Sequence, residues 1–165
     1  MSNQALETVP HFLRLSDRVG TAGQPSEDQF AAIRQAGYEV VINLRPLDAA
    51  LPNEQALVEN EGMTYISIPI EWEAPTVEDI EHFFAAMQAN DGKHIFVHCA
   101  LNMRVSACMY LYRVARESVP PVLAAQDLHR IWTPNPTWQK LMDQVLSQQR
   151  GTSNQGGVDA RKVQF

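Results

Sequence analysis

The sequence predicts an α/β protein of three layers, with a central, mostly parallel sheet of four to five strands flanked by helices. Two observations predict it. The runs Tyr38 to Leu44 and His94 to His98 are almost continuously apolar. A strand wetted on one face alternates apolar and polar residues, whereas a strand covered on both faces does not, and that is the habit of parallel sheets under helices. The strand-like runs also alternate with helical patterns, and glycine or proline stands at the joints, which is the rhythm of βα units.

Taken in order, Gly23-Gln24-Pro25 is turn chemistry. Ser26, with Gln29 three residues on, reads as a capping box that starts a helix through Phe30 and Ile33 to Ala36. Gly37 stops it, the strand Tyr38 to Leu44 follows, and Pro46 closes that strand. A second helix runs from Pro52 to Glu61, with proline in its first turn and Gly62 past its end. Met63 to Ile70 is a further strand. After the polar loop Glu71-Trp72-Glu73-Ala74-Pro75, Thr76 caps a helix reaching about Ala89, and Glu78 and Asp79 favour its positive end. Asn90-Asp91-Gly92 turns the chain into the strand ending at His98. A strongly apolar helix is expected from about Val105 to Glu117, then helices over Val122 to Trp132 and Pro136 to Gln149. Residues 1–150 are expected to form one domain, and Gly151 to Phe165, rich in Gly, Ser and Gln, a flexible tail.

Composition narrows the function. Of 165 residues, 45% are hydrophobic and 19% charged, enough for a real core in one domain. A net charge of −6 argues against a nucleic-acid or anionic-membrane partner. It leaves room for a small anionic ligand in a locally positive loop. No apolar run approaches the ~20 residues that span a bilayer, and the first ten residues lack the basic start and apolar core of a secretory signal. Two cysteines make no disulfide framework, so a reduced thiol and a cytoplasmic setting are expected.

The chemistry concentrates in His98-Cys99-Ala100-Leu101-Asn102-Met103-Arg104-Val105-Ser106. A buried strand ends at His98-Cys99 and a helix begins a few residues later. In that arrangement the loop amides point inward, and the helix N-terminus adds about half a positive charge, so an anion is held there. The same field favours the thiolate of Cys99 over its thiol. Arg104 supplies a planar fork of donors suited to two oxygens of a phosphoryl or sulfuryl group, and Ser106 is placed to hydrogen-bond the thiolate. The alternative for Cys99 is a buried structural cysteine with Arg104 at the surface. For Cys108, alone on the following helix, the structural role is the expectation.

These residues resemble the dual-specificity branch of the protein tyrosine phosphatase superfamily, and more narrowly a small bacterial group opening on a Gly-Gln-Pro-Ser element. The resemblance covers roughly Leu13 to Gln149. It is carried by Gly23-Gln24-Pro25-Ser26, Val41-Ile42-Asn43-Leu44-Arg45-Pro46, Ile68-Pro69-Ile70 and the Cys99 loop. It implies a phosphatase-like fold and phosphomonoester hydrolysis through a phosphocysteine, with Cys99 as nucleophile, Arg104 as the oxyanion ligand and Ser106 assisting departure of the thiolate. His98, Ala100, Leu101, Asn102, Met103 and Val105 complete the substrate loop.

The sequence departs from the family pattern at one point. Four residues separate Cys99 from Arg104 where the family has five, so Val105 takes the usual arginine place while Ser106 keeps the Ser/Thr place. Asn102 falls on a frequent glycine position, and asparagine tolerates a left-handed backbone. The short spacing also admits a rhodanese-like sulfurtransferase working through a Cys99 persulfide. A catalytically weak phosphate-binding module is a third reading.

The leaving group needs a general acid. The resembled family uses an Asp on the loop after the third strand; the equivalent stretch here offers Glu71 and Glu73, either of which partial burial by Trp72 would suit to the task. Trp72 is also a candidate wall for an aromatic substrate. Arg45, at the end of its strand with Asn43, reads as an anion attractor or a surface salt bridge, and Asn135, between two prolines, as a helix cap or a site-lining residue. His129 reads as surface, and His94 and His98 lack a third ligand, so no metal and no cofactor is expected. The expected partner is a phosphorylated protein or small molecule, with phosphate or sulfate in the loop.

Overall fold

The computed structural model describes residues 5–149. The expected tail 151–165 lies outside them. A five-stranded sheet runs in the order β1-β2-β5-β3-β4. Its strands are β1 (Leu13–Arg14), β2 (Val19–Ala22), β3 (Val40–Asn43), β4 (Thr64–Ser67) and β5 (Ile95–His98). The β1–β2 pairing is antiparallel, and β2, β5, β3 and β4 run parallel to one another. The helices are α1 (Gln29–Gln35), α2 (Glu54–Asn60), α3 (Val77–Ala89), α4 (Met103–Arg116), α5 (Pro121–Ile131) and α6 (136–149).

The two central strands are buried at every residue, as their unbroken apolar runs require. Successive side chains on a strand point to opposite faces, and the core divides accordingly. Val40, Ile42, Leu44, Ile95, Val97 and Cys99 join a core formed with α3 to α6, while Val41 and Phe96 join a second core with Phe30, Ile33 and Val58. This parity sends Cys99 and His98 to opposite sides of the sheet, on which the site depends.

Several joints follow the expected chemistry. Gly37, Gly62 and Gly92 all have positive φ. Thr76 and Asp79 form a reciprocal capping box at α3, and Asn135 caps α6 by accepting from the Trp138 amide at 2.9 Å. At α1 only half of the predicted box exists: the Gln29 side chain accepts from the Ser26 amide at 2.9 Å, and Asp28 is the cap residue.

Three expectations are corrected. β1 and β2 are strands that the pattern had not marked, because two to four residues broken by Gly20 carry little periodicity. β4 is an edge strand, half-exposed, and shorter than Met63 to Ile70. The helix after the Cys99 loop begins at Met103 rather than Val105.

Candidate active site

Cys99 follows directly on β5 and its amide donates to the Ala22 carbonyl at 3.2 Å. Ala100 and Leu101 then cross over the Gly23-Gln24 segment. The Gln24 amide donates to the Ala100 carbonyl at 3.0 Å, and Gly23 bridges Leu101. A Cβ at Gly23 would stand 2.5 Å from the Ala100 carbonyl oxygen and 3.2 Å from the Pro10 one, both backbone atoms that cannot swing aside. The Gly-Gln-Pro element is therefore a buttress for the cysteine loop as well as a turn.

Asn102 takes the left-handed conformation, φ 66° and ψ 1°, at the cap of α4. It is fully buried, and its Nδ2 donates to the His11 carbonyl (2.9 Å) and the Thr21 hydroxyl (3.1 Å). The sequence-level argument for asparagine there holds, and the side chain adds two anchors that glycine would lack. The fourteen-residue α4 thus begins four residues after Cys99 and directs its N-terminal amides to the loop.

In front of Cys99 lies a pocket of ≈ 110 Å³ lined by Trp72, Cys99, Ala100, Leu101, Met103 and Arg104. Leu101 is 50% exposed at its rim, and Cys99 only 1% exposed at its floor. Arg104 is in this pocket, with its guanidinium 5.7 Å from the Trp72 ring centre and its NH1 donating at 3.4 Å to the carbonyls of Leu44 and Ile70. Its Nε is buried and has no hydrogen-bond partner. The shortened spacing therefore still brings arginine and cysteine to one cavity.

Trp72 owes its place to two other tryptophans. Its ring lies 5.2 Å from Trp132 and 5.8 Å from Trp138, and its carbonyl accepts from Trp138 Nε1 at 3.0 Å. Trp72 is thus both pocket wall and rim of the core. Glu71 and Glu73, on either side of it, are exposed: the tryptophan turns inward and does not bury them as expected.

Behind the loop, on the opposite face of the sheet, His98 is fully buried. Its Nε2 is 2.6 Å from Glu54 Oε2 and its Nδ1 is 3.2 Å from the Cys99 carbonyl oxygen. Glu54 is 1% exposed and also accepts from Gln24 Nε2 at 2.8 Å. Gln24 in turn accepts from Arg45 NH1 at 3.0 Å, and Asn43 joins the Arg45 amide to the Tyr65 hydroxyl. Burial first, then the Glu54 carboxylate, keep Tyr65 protonated past its usual range, against the pull of the Asn43 hydrogen bond. Removing one member of a buried pair such as Glu54 and His98 costs about 3–5 kcal/mol.

Not every sequence candidate meets the pocket. Val105 is buried in the α4 core and contributes backbone alone. Ser106 donates its single hydroxyl proton to the Met103 carbonyl at 2.9 Å and accepts from Trp132 Nε1 at 3.0 Å, which leaves no donor for the thiolate. Arg45 is turned into the Gln24 network rather than into a surface salt bridge. Cys108, fully buried, has its thiol pushed up by burial above all. Among the described residues, no three His, Cys, Asp or Glu side chains are grouped to hold a metal, and no helix is long and apolar enough to cross a membrane.

Glu54 was missed from the sequence. In the first turn of a helix it looks like any acid favouring the dipole, and nothing local distinguishes it from the exposed Glu59 or Glu61. Only the parity of β5, which sends His98 to the α2 side, marks it.

Comparison with known proteins agrees with this fold. A family model described as a DSP-PTPase phosphatase fused to NAD+ kinase matches residues 14–153. A crystal structure of a DUF442 candidate phosphatase from Shewanella putrefaciens CN-32 is 38% identical, covers 88% of this chain and 97% of its own, and superposes with a TM-score of 0.80. PTPMT1, solved in complex with PI(5)P, shares the fold at 12% identity and a TM-score of 0.73, over 87% of this chain and 99% of its own. A curated relative, the beta-lactamase hydrolase-like protein of Xylella fastidiosa (strain Temecula1), is 33% identical over 96 residues, 54% of this chain. The match spans only about a fifth of that relative, 22% of its length.

Proposed function

The chain belongs to the DSP-PTPase family described as a phosphatase fused to NAD+ kinase; from that premise we propose that it is a phosphatase that hydrolyses phosphomonoesters through a phosphocysteine intermediate on Cys99. The observation that carries the reading is the shared pocket, in which Cys99 forms the floor just before the N-terminus of α4 and Arg104 lines the same cavity.

In the first step the Cys99 thiolate attacks phosphorus. The S–P bond forms, the P–O bond to the leaving group breaks, and the departing oxygen takes a proton from Glu71 or Glu73. Arg104 and the loop amides bind the equatorial oxygens, whose charge they stabilise without reorganising. In the second step water attacks the phosphocysteine and gives its proton to the same glutamate. The S–P bond breaks and the thiolate returns. The α4 N-terminus stabilises the leaving thiolate, while the Ser106 hydroxyl is engaged with the Met103 carbonyl and Trp132 Nε1. Glu71 and Glu73 flank Trp72 in the chain, beside the pocket wall, and the apolar rim of Trp72 and Leu101 suits a substrate with an aromatic or aliphatic body behind its phosphate.

The test is turnover of p-nitrophenyl phosphate by the parent and Cys99→Ser. The parent is expected to hydrolyse it and to show a phosphate adduct on Cys99 after acid quench. Cys99→Ser is expected to lose turnover while still binding phosphate. Activity that survives the substitution sinks the reading, and a parent that binds phosphate without turnover reduces the site to a binding module.

A further inference from the structure

The geometry points to Glu54 as a positioning residue for the Cys99 nucleophile: it holds the His98 imidazole in the one arrangement that puts an N–H on the Cys99 carbonyl. This rests on the reading of Cys99 as the reactive group.

The argument is proton counting. A carbonyl oxygen only accepts, so the 3.2 Å contact between His98 Nδ1 and the Cys99 carbonyl is attractive only when Nδ1 carries a proton. The 2.6 Å contact between His98 Nε2 and Glu54 also needs a proton between the two heavy atoms. A lone neutral imidazole has one proton for its two nitrogens. Glu54 supplies the missing one, or the counter-charge for it. The pair can be written as imidazolium and carboxylate or as imidazole and carboxylic acid, and in both cases Nδ1–H faces the loop and the net charge is zero. Without Glu54, a neutral His98 is free to carry its proton on Nε2. It then turns a lone pair toward the Cys99 carbonyl, and the peptide group beside the nucleophile loses its donor.

The other surroundings of the pair reinforce this. Gln24 fixes the second carboxylate oxygen of Glu54 and is itself fixed by Arg45, while Tyr65 adjoins the carboxylate. The Phe30 ring stands edge-on to His98 at 6.4 Å between centroids. Arg45, Tyr65 and Cys99 are thus the charged or titratable groups around the pair. Gln24 also holds the Ala100 carbonyl through its backbone amide, so one residue ties Glu54 and the loop into a single unit.

The test is the rate at which iodoacetamide alkylates Cys99, followed site by site by mass spectrometry from pH 6 to pH 9, for the parent, Glu54→Gln, Glu54→Leu and His98→Gln, with melting temperature as the check of folding. Alkylation reads the thiolate without turnover, so a parent that alkylates at Cys99 but hydrolyses no phosphomonoester sinks the phosphatase reading and leaves this one standing. Glu54→Leu is expected to slow alkylation about tenfold at pH 6, the worth of one hydrogen bond to the loop, with the deficit closing toward pH 9. Glu54→Gln is expected within about twofold of the parent, since its amide donates to Nε2 and leaves the proton on Nδ1. His98→Gln, whose amide reaches Glu54 but offers nothing at the Nδ1 position, is expected to reproduce the deficit even where Glu54→Leu does not fold. A Glu54→Gln variant as slow as His98→Gln overturns the proposal, as does a folded Glu54→Leu with the parent's rate.

Discussion

Cys99 and Cys108 are equally hidden from solvent, at 1% and 0% exposure, and both are free thiols in the same core cluster. Their surroundings are opposite. Cys99 stands between the end of a strand and the start of a fourteen-residue helix, with a pocket in front and a hydrogen-bonded histidine behind. Cys108 lies within that helix, where the peptide groups are already paired and where burial above all pushes its thiol up. The difference teaches that burial alone does not set a thiol's chemistry. What separates the two sites is the pocket and the helix start at Cys99, neither of which Cys108 has.

The sharpest way to break this contrast is labelling at neutral pH. Iodoacetamide is expected to modify Cys99 and leave Cys108 untouched. In the phosphatase assay Cys99→Ser is expected to fall to background, while Cys108→Ala keeps the parent's rate. A peptide map in which Cys108 carries the label would overthrow the comparison.

The next largest effect is expected at Arg104. Removing one pre-organised oxyanion donor costs about 10²- to 10³-fold in turnover. Arg104→Ala should show that loss and weaken phosphate binding, and Arg104→Lys should restore little, because an ammonium cannot reproduce the planar fork. Steady-state kinetics on p-nitrophenyl phosphate decide it; an Arg104→Ala enzyme within a factor of two of the parent would mean that the displaced arginine does not serve the reaction.

Much of this contrast is legible in the sequence, and the limits have physical causes. The central strands β3 and β5 declare themselves through unbroken apolar runs, and the joint of strand, Cys99 and helix follows from them. Asn102 is readable because few residues other than glycine accept a positive φ. Ser106 misleads: its spacing from Cys99 matches an expected role, but Trp132, 26 residues later, and the Met103 carbonyl take up its hydrogen bonds. The expected burial of Glu71 and Glu73 misleads in the same way, because whether Trp72 covers them depends on Trp132 and Trp138 farther along the chain. Local pattern reports local geometry, whereas hydrogen-bond partners and burial are settled by residues far along the chain.

A smaller effect separates the two functions of Asn102. Asn102→Gly keeps the left-handed backbone and loses the bonds to His11 and Thr21. Asn102→Ala loses both the bonds and the conformation, whose added cost is about 1–2 kcal/mol. Alanine is therefore expected to melt lower than glycine, and both below the parent, in thermal denaturation. Equal melting temperatures for the two variants would show that the bonds alone hold the start of α4.

The smallest effect is expected at Cys108, and its pH-dependent part appears only in alkali. Burial raises its thiol in the folded state, so the folded protein retains a proton that an unfolded thiol gives up above about pH 8.5. The stability tied to that proton is intact below the unfolded value and is lost progressively as pH rises above it. Tyr38, Tyr65 and Tyr112, all raised chiefly by burial, act in the same direction at higher pH. Cys108→Ala should therefore melt slightly below the parent at pH 7, where it has lost a buried sulfur, and lose stability less steeply from pH 8.5 to pH 10. Parallel slopes for the two proteins would mean that Cys108 ionises as easily folded as unfolded, and the chemical distance between the two cysteines would shrink to their access to reagent.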